Sequence, residues 1–326
     1  MRRRTFLAGP ALAAPVLTTL ARPALAQAFP ARPLRMIVPF GPGGISDLVA
    51  RIVAEATSPI LGQPVVVENR TGAGGNIAAE AAARAQPDGY TVLFCSIGML
   101  AVNPVLYRRL PFDPAKDFSF VAPLADTPHI LVVRPGLLPD GAGLREFIAL
   151  ARSEPRRLTW STAGAGSSPH QTLALLQFLG GAELTAVHYR SGAAGVQAVL
   201  AGEVSATAEA TPVVVEHIRA GTLRALVAAV RERLALLPET PGAAEAGMPG
   251  LVNGSSAGIV LPRATPEPVR AVLEDAFTRA MASSEIRVKL AAQGTVPLGG
   301  GAATFAEAVT KEGERWRRVL AGMTLD

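Results

Sequence analysis

Two short loops hold the groups in this chain best suited to grip a ligand. Gly41-Pro-Gly-Gly-Ile-Ser46 follows the apolar run Leu34–Phe40, and Ala163-Gly-Ala-Gly-Ser-Ser168 follows the run that ends at Ser161. Each opens a stretch whose apolar residues have helical spacing. The N-terminus of a helix exposes unpaired N–H groups and carries roughly half a positive charge. A strand–glycine turn–helix junction is therefore suited to receive an anion on its backbone. In the first loop Gly43 and Gly44 open the approach, and Ser46 is the predicted cap of a helix with Asp47 in its first turn. In the second, Gly166 and Ser167 precede Ser168, a good N-cap, and Pro169, which suits the first helical position. Thr211-Pro212 repeats that cap signature. One such loop is ordinary chain reversal; two in separate halves of the chain point to a ligand held between them.

Other chemistries lack their residues. There is no G-x-x-x-x-G-K-[ST] phosphate loop and no G-x-S-x-G nucleophile elbow. His129, His170, His188 and His217 lack the i, i+4 spacing of a helical metal pair, so no metal is expected. Cys95 is the single cysteine; it can form neither an internal disulfide nor a zinc site, and its place after Val92-Leu93-Phe94 predicts a buried thiol. The Gly41–Ser46 turn has Ser46 where a dinucleotide fingerprint wants Gly or Ala. A nicotinamide-dependent enzyme is thus the poorer alternative, and no cofactor is expected.

These loops need elements to place them. Leu34–Phe40 reads as a strand, Leu48, Val49, Ile52, Val53 and Ala56 as one face of a helix, and Pro64–Glu68 as a strand buried on both faces. An Ala-rich helix from Asn76 and a strand Tyr90–Ser96 complete a β-α-β-α-β series. The pattern recurs with strands at 157–161, 185–189, 204–209 and 223–230 and helices at 169–179, 193–200 and 212–220. The fold class is α/β. The two series meet near Leu124–Val133, which predicts two lobes. The C-terminal part is Pro-rich at first, then carries helices near 268–283 and 304–321. In the last, Phe305, Val309, Trp316 and Leu320 share a face, assigning Trp316 to packing.

Residues 1–26 read as a cleaved export signal: Arg2-Arg3-Arg4 before Thr5-Phe6-Leu7, a short apolar run broken by Pro10 and Pro15, and an A-x-A site at Ala24–Ala26. The Arg-Arg-x-Phe-Leu order also fits a twin-arginine signal. The chain carries 31 basic and 26 acidic residues, net +5; without the four arginines of the leader, 27 face 26, net +1. The basic balance therefore lies in the leader, and no nucleic-acid partner is expected. Roughly 300 residues remain, enough for two domains.

The order Pro39-Phe-Gly-Pro-Gly-Gly-Ile-Ser-Asp47, Leu61-Gly-Gln-Pro-Val-Val-Val-Glu-Asn-Arg70, Gly72-Ala-Gly-Gly-Asn76 and Pro87-Asp-Gly-Tyr90 resembles the receptor family of tripartite tricarboxylate transporters, the periplasmic Bug receptors. Asn103-Pro104, Leu110-Pro-Phe-Asp-Pro114, Ser161–His170, Tyr189-Arg-Ser-Gly192, Gly221–Leu226 and Leu236–Pro241 extend the resemblance over nearly the whole chain after the leader. It implies a two-lobed periplasmic-binding-protein fold (type II-like) with the ligand cleft between lobes joined by a hinge. Residues 27–125 with 250–326 would form one lobe and 126–249 the other. It implies no catalysis: a small carboxylate ligand is bound by a monomer and passed to membrane permease subunits, or its presence is reported to a signalling partner. Carried over residue by residue, Phe40, Gly43, Gly44, Ser46 and Asp47 would form a first clamp; Ala163, Gly166, Ser167, Ser168 and His170 a second; Ser96 and Gly98 the side. His170 would either touch the ligand or complete the helix cap. Asp47 would either stabilise its helix or face the ligand, where it would repel a carboxylate. Glu209, at the end of the 204–209 strand, would face the far end of the ligand or cap the helix after it. The chain departs from the family pattern in having Ile45 among Ile45-Ser46-Asp47 and Glu209 where many members carry Asp.

Overall fold

A computed structural model of the chain describes residues 29–321; the predicted leader, 1–26, lies outside the described residues. The first half runs β1 (Leu34–Val38), α1 (Ile45–Leu61), β2 (Val65–Asn69), α2 (Asn76–Ala83), β3 (Thr91–Ser96), then three short helices, α3 (Ile97–Ala101), α4 (Asn103–Leu106) and α5 (Pro114–Asp117). A 16-residue strand, β4 (Phe118–Val133), leads into α6 (Leu144–Ser153), β5 (Thr159–Thr162), α7 (Ser168–Gly180), β6 (Thr185–His188) and α8 (Gly192–Ala201). There follow β7 (Ala206–Ala210), α9 (Thr211–Arg219), β8 (Arg224–Ala228), β9 (Gly254–Pro262), α10 (Glu267–Ala282), α11 (Ser284–Ala292), β10 (Val296–Pro297) and α12 (Ala302–Val319).

β4 organises the molecule because it belongs to both halves. Phe118–Pro128 pairs antiparallel with β9, and His129–Val133 pairs antiparallel with β7 and β8. The first half of the strand closes an array in which β1 lies parallel to β2 and β3, and β9 bridges β3 to β4. The second half opens an array in which β5 lies parallel to β6 and β7. Each array is covered on both faces. Val49, Val53, Leu273 and Phe277 cover one face of the first, and Ala79, Leu100 and Phe305 the other. Trp160, Phe147 and Leu176 pack on one face of the second, and Val196, Val199 and Val214 on the other. This is the two-lobed α/β architecture.

α12 joins the two cores. Phe305 and Val309 pack in the first, while Trp316 and Val319 sit in the cluster of Leu173 and Leu176 on α7. Trp316 is buried, its indole N–H donating to Glu312, so it packs as expected. Cys95 is fully buried beside the Gly258 carbonyl, and burial pushes its thiol up into the inert range.

Several expectations are corrected. The run Val65–Val67 is not buried on both faces: β2 ends the array and Val66 is 53% exposed. β9 went unrecognised in the sequence, although it is the strand that ties the first array together. The caps shift by one or two residues. Gly44, not Ser46, caps α1, so Ser46 is the second helical residue. Ser167 is the cap of α7, with Ser168 and Pro169 inside the helix. Ala210 precedes α9, and the Thr211 hydroxyl donates to the Pro128 carbonyl instead of capping.

Candidate functional site

The N-terminal ends of three longer helices converge on one cavity between the arrays. α1 contributes Gly44, Ile45 and Ser46, α7 contributes Ser168 and Pro169 with its cap Ser167, and α8 contributes Gly192. All of these are first-turn or cap positions, and apart from Pro169, which has no N–H, their N–H groups have no partner within the helix. Among the described residues no lysine, arginine or histidine lines the cavity, and Glu209 is the one ionisable group that does.

The loop after β1 is held from behind by charge. Gly43 adopts a left-handed φ of 78° and donates its N–H to Asp47 (3.2 Å). Asp47 also accepts from Arg51 Nε (3.1 Å) and Asn69 Nδ2 (3.1 Å), and Asn69 Nδ2 donates in turn to the Phe40 carbonyl (2.9 Å). Burial alone would push the Asp47 carboxyl up, but the hydrogen bonds from Arg51, Asn69 and Gly43 hold it below the ordinary carboxylate range. Asp47 therefore braces the loop; neither it nor Gly43 lines the cavity, whereas Phe40, Gly44 and Ser46 do.

The loop after β5 is held by neutral groups. The Ser167 hydroxyl donates to the Gly164 carbonyl (2.6 Å), Gln171 Nε2 donates to the Gly166 carbonyl (2.8 Å), and the Gly166 N–H donates to His170 Nδ1 (3.0 Å). Burial, helped by the neighbouring His188 ring, lowers His170 to about 4, so the imidazole is neutral and can accept. Ala163, Ser167 and Ser168 line the cavity; Gly166 and His170 lie behind it. Ser168 has no side-chain hydrogen bond among the described residues, and its hydroxyl is free to meet a ligand.

Ser96 lines the side and caps α3 by accepting the Met99 N–H (3.0 Å). Gly98 does not line this cavity: a Cβ there would collide with Gln171 Nε2, so glycine lets α3 and α7 approach. Glu209 lines the cavity with 3% of its surface exposed. The sequence reading missed Gly192 and the β9 residues Ser255, Ser256 and Ala257. Ser255 continues into the protein through His129 Nε2 (2.9 Å), whose Nδ1 contacts Thr172 Oγ1 (2.9 Å). Burial holds that imidazole down to about 3, in its neutral form.

Hydrogen bonds tie the halves together beside the cavity. The Gly41 N–H donates to the Arg190 carbonyl (3.4 Å), and the Tyr107 hydroxyl donates to the Ala165 carbonyl (2.8 Å). The arrangement is a backbone-rich cleft suited to solvate a small anion with dipoles rather than with full positive charges.

Comparison with known proteins agrees in family and fold. Residues 49–325 match the model of the tripartite tricarboxylate transporter family receptor. BugT of Bordetella pertussis is 35% identical over 92% of each chain. MatC from Rhodopseudomonas palustris, solved with bound malate, is 34% identical with a TM-score of 0.85, covering 90% of this chain and 100% of that one. A further R. palustris protein, solved with adipate, is 33% identical with a TM-score of 0.85, covering 91% of this chain and 100% of that one.

Proposed function

The chain belongs to the tripartite tricarboxylate transporter receptor family, and from that premise we propose that it is a periplasmic receptor that binds a small carboxylate between its lobes. The receptor does no chemistry on its ligand and delivers it to membrane permease subunits. The observation that carries this reading is the meeting of three helix N-termini on one cavity that, among the described residues, no basic side chain lines. N–H dipoles in a partly desolvated site hold one carboxylate firmly without the deep trap that a buried arginine would set. The malate and adipate held by two relatives are of the same chemical class.

In this proposal Phe40, Gly44, Ser46, Ser96, Ala163, Ser167, Ser168 and Glu209 meet the ligand. Gly43, Asp47, Gly98, Gly166 and His170 hold those residues in place. Residues 27–125 with 250–326 move against 126–249, flexing where β4 and α12 pass from one half to the other. The segment 1–26 directs export and is removed. Among the described residues no helix is long and apolar enough to cross a membrane.

A thermal-shift panel tests the reading. Mono-, di- and tricarboxylates, amino acids, sugars, metal cations and nucleotides are each offered to the purified receptor. A carboxylate at about 100 times its Kd should add about 2.7 kcal/mol to folding stability, a clear rise in Tm. A rise with sugars, cations or nucleotides and none with carboxylates would refute the proposal.

A further inference from the structure

Glu209 is the feature that a plain carboxylate chamber does not need. It ends β7, lies almost wholly out of water, and is the one ionisable side chain lining a cavity whose other contributors are neutral. One oxygen, Oε2, accepts the N–H of Ala210 (3.0 Å); Oε1 has no hydrogen-bond donor among the described residues. The carboxylate is seated in a notch at the start of α8, where Gly192 lacks a side chain: a Cβ on Gly192 would collide with Oε1. Its partner across the β4 ladder, Ile130, is apolar and cannot neutralise it. A buried carboxylate with an open lone pair is costly unless something donates to it.

We propose that the Gly192–Glu209 pair sets the ligand class: a carboxylate whose opposite end carries a hydrogen-bond donor, such as an amine, an amide or a hydroxyl. This deepens the receptor reading above and rests on it. The two ends of the cavity then have opposite tasks. Helix N-termini at Ser46 and Ser168 supply donors to the ligand carboxylate, and Glu209 supplies an acceptor to the far end. A second carboxylate placed there would meet like charge in a site with little water to screen it, which excludes by repulsion. Burial pushes the Glu209 carboxyl up to about 7, so it is ionised in mildly alkaline buffer and the test is run there.

Calorimetric titration at about pH 8 with length-matched ligands decides the matter: γ-aminobutyrate, γ-hydroxybutyrate and succinate, then ε-aminocaproate and adipate. The wild-type receptor should bind the amino or hydroxy member of a set at least about tenfold more tightly than the dicarboxylate, the size of one charge-assisted hydrogen bond. Glu209→Gln keeps the shape and removes the charge, and should shrink that ratio to about threefold or less, chiefly by a gain for the dicarboxylates. Wild-type preference for succinate or adipate over its partners would overturn the proposal while leaving the carboxylate reading intact. An unchanged ranking in Glu209→Gln with a lower Tm would also overturn it, making Glu209 a structural cap. Should that variant fail to fold, the wild-type ranking alone decides. If no carboxylate, amino or hydroxy acid binds, the receptor reading falls and takes this one with it.

Discussion

The two loops that face the ligand have the same outline and opposite electrostatics. Each leaves a strand, turns through glycine and starts a helix, yet the first is braced by an ionised acid and the second by a neutral imidazole. Asp47 gathers Gly43, Arg51 and Asn69 behind the first loop, while His170, Gln171 and the Ser167 hydroxyl hold the second. The lesson is that an anion-binding junction is defined by where its N–H groups point, and the means of fixing that direction is interchangeable. The titratable bracing groups, Asp47 and His170, lie behind the cavity, so neither brace adds charge to the lining.

That contrast can be broken first at Asp47. Asp47→Ala leaves the Gly43 N–H without its acceptor and takes one of two acceptors from the Asn69 amide, and should cost about 2 kcal/mol of stability, measured by urea denaturation. Ligand affinity should fall with it, because Gly43 and Gly44 lose their fixed direction. A loss of less than about 0.5 kcal/mol would show that the first loop holds itself.

Acid should loosen the second loop before the first. His170 titrates near 4 in the folded chain against about 6.5 when unfolded, so the unfolded state binds the extra proton between those values. Its contribution is complete above about 6.5 and is lost as pH falls, by about 1.4 kcal/mol per pH unit. Asp47, whose folded value is depressed, keeps its contribution over that range and loses it only at lower pH. Comparing wild type with His170→Gln from about pH 7 down to pH 5 should show the variant losing about 2 kcal/mol less. Parallel curves would remove His170 from the account.

The finest test separates two adjacent serines. Ser168 offers a free hydroxyl to the cavity, so Ser168→Ala should weaken carboxylate binding about tenfold with little change in Tm. Ser167 spends its hydroxyl on the Gly164 carbonyl, so Ser167→Ala should lower stability by about 1 kcal/mol and alter affinity less. Calorimetry and thermal melts on the two variants check both, and the reverse pattern would exchange their roles.

Much of this was legible in the sequence because apolar runs ending in glycine mark strand-to-helix turns, and every such turn named at the outset opens a helix. The helix starts were displaced by a residue or two. Ser46 and Ser168 have the chemistry of caps, but Gly44 and Ser167 have the extended backbone that a cap requires. β9 was hidden because Gly254-Ser-Ser-Ala-Gly258 has a turn's composition, and its second glycine exists to admit the Phe305 ring. The Val65–Val67 run looked central and lies at an edge, since apolar content does not encode position in a sheet. Gly192 could not be singled out at all: its role is an empty space for a carboxylate 17 residues further along the chain.

The shared strand has a bearing on how the chain can be divided. Because Phe118–Val133 pairs with β9 and β10 in one array and with β7 and β8 in the other, a cut within it leaves neither piece complete. A chimera joined at Pro128 would divide a single run of backbone whose two ends answer to different neighbours. The halves of this chain are therefore not interchangeable like beads on a string: Ser46, Ser168, Gly192 and Glu209 stand on one undivided frame.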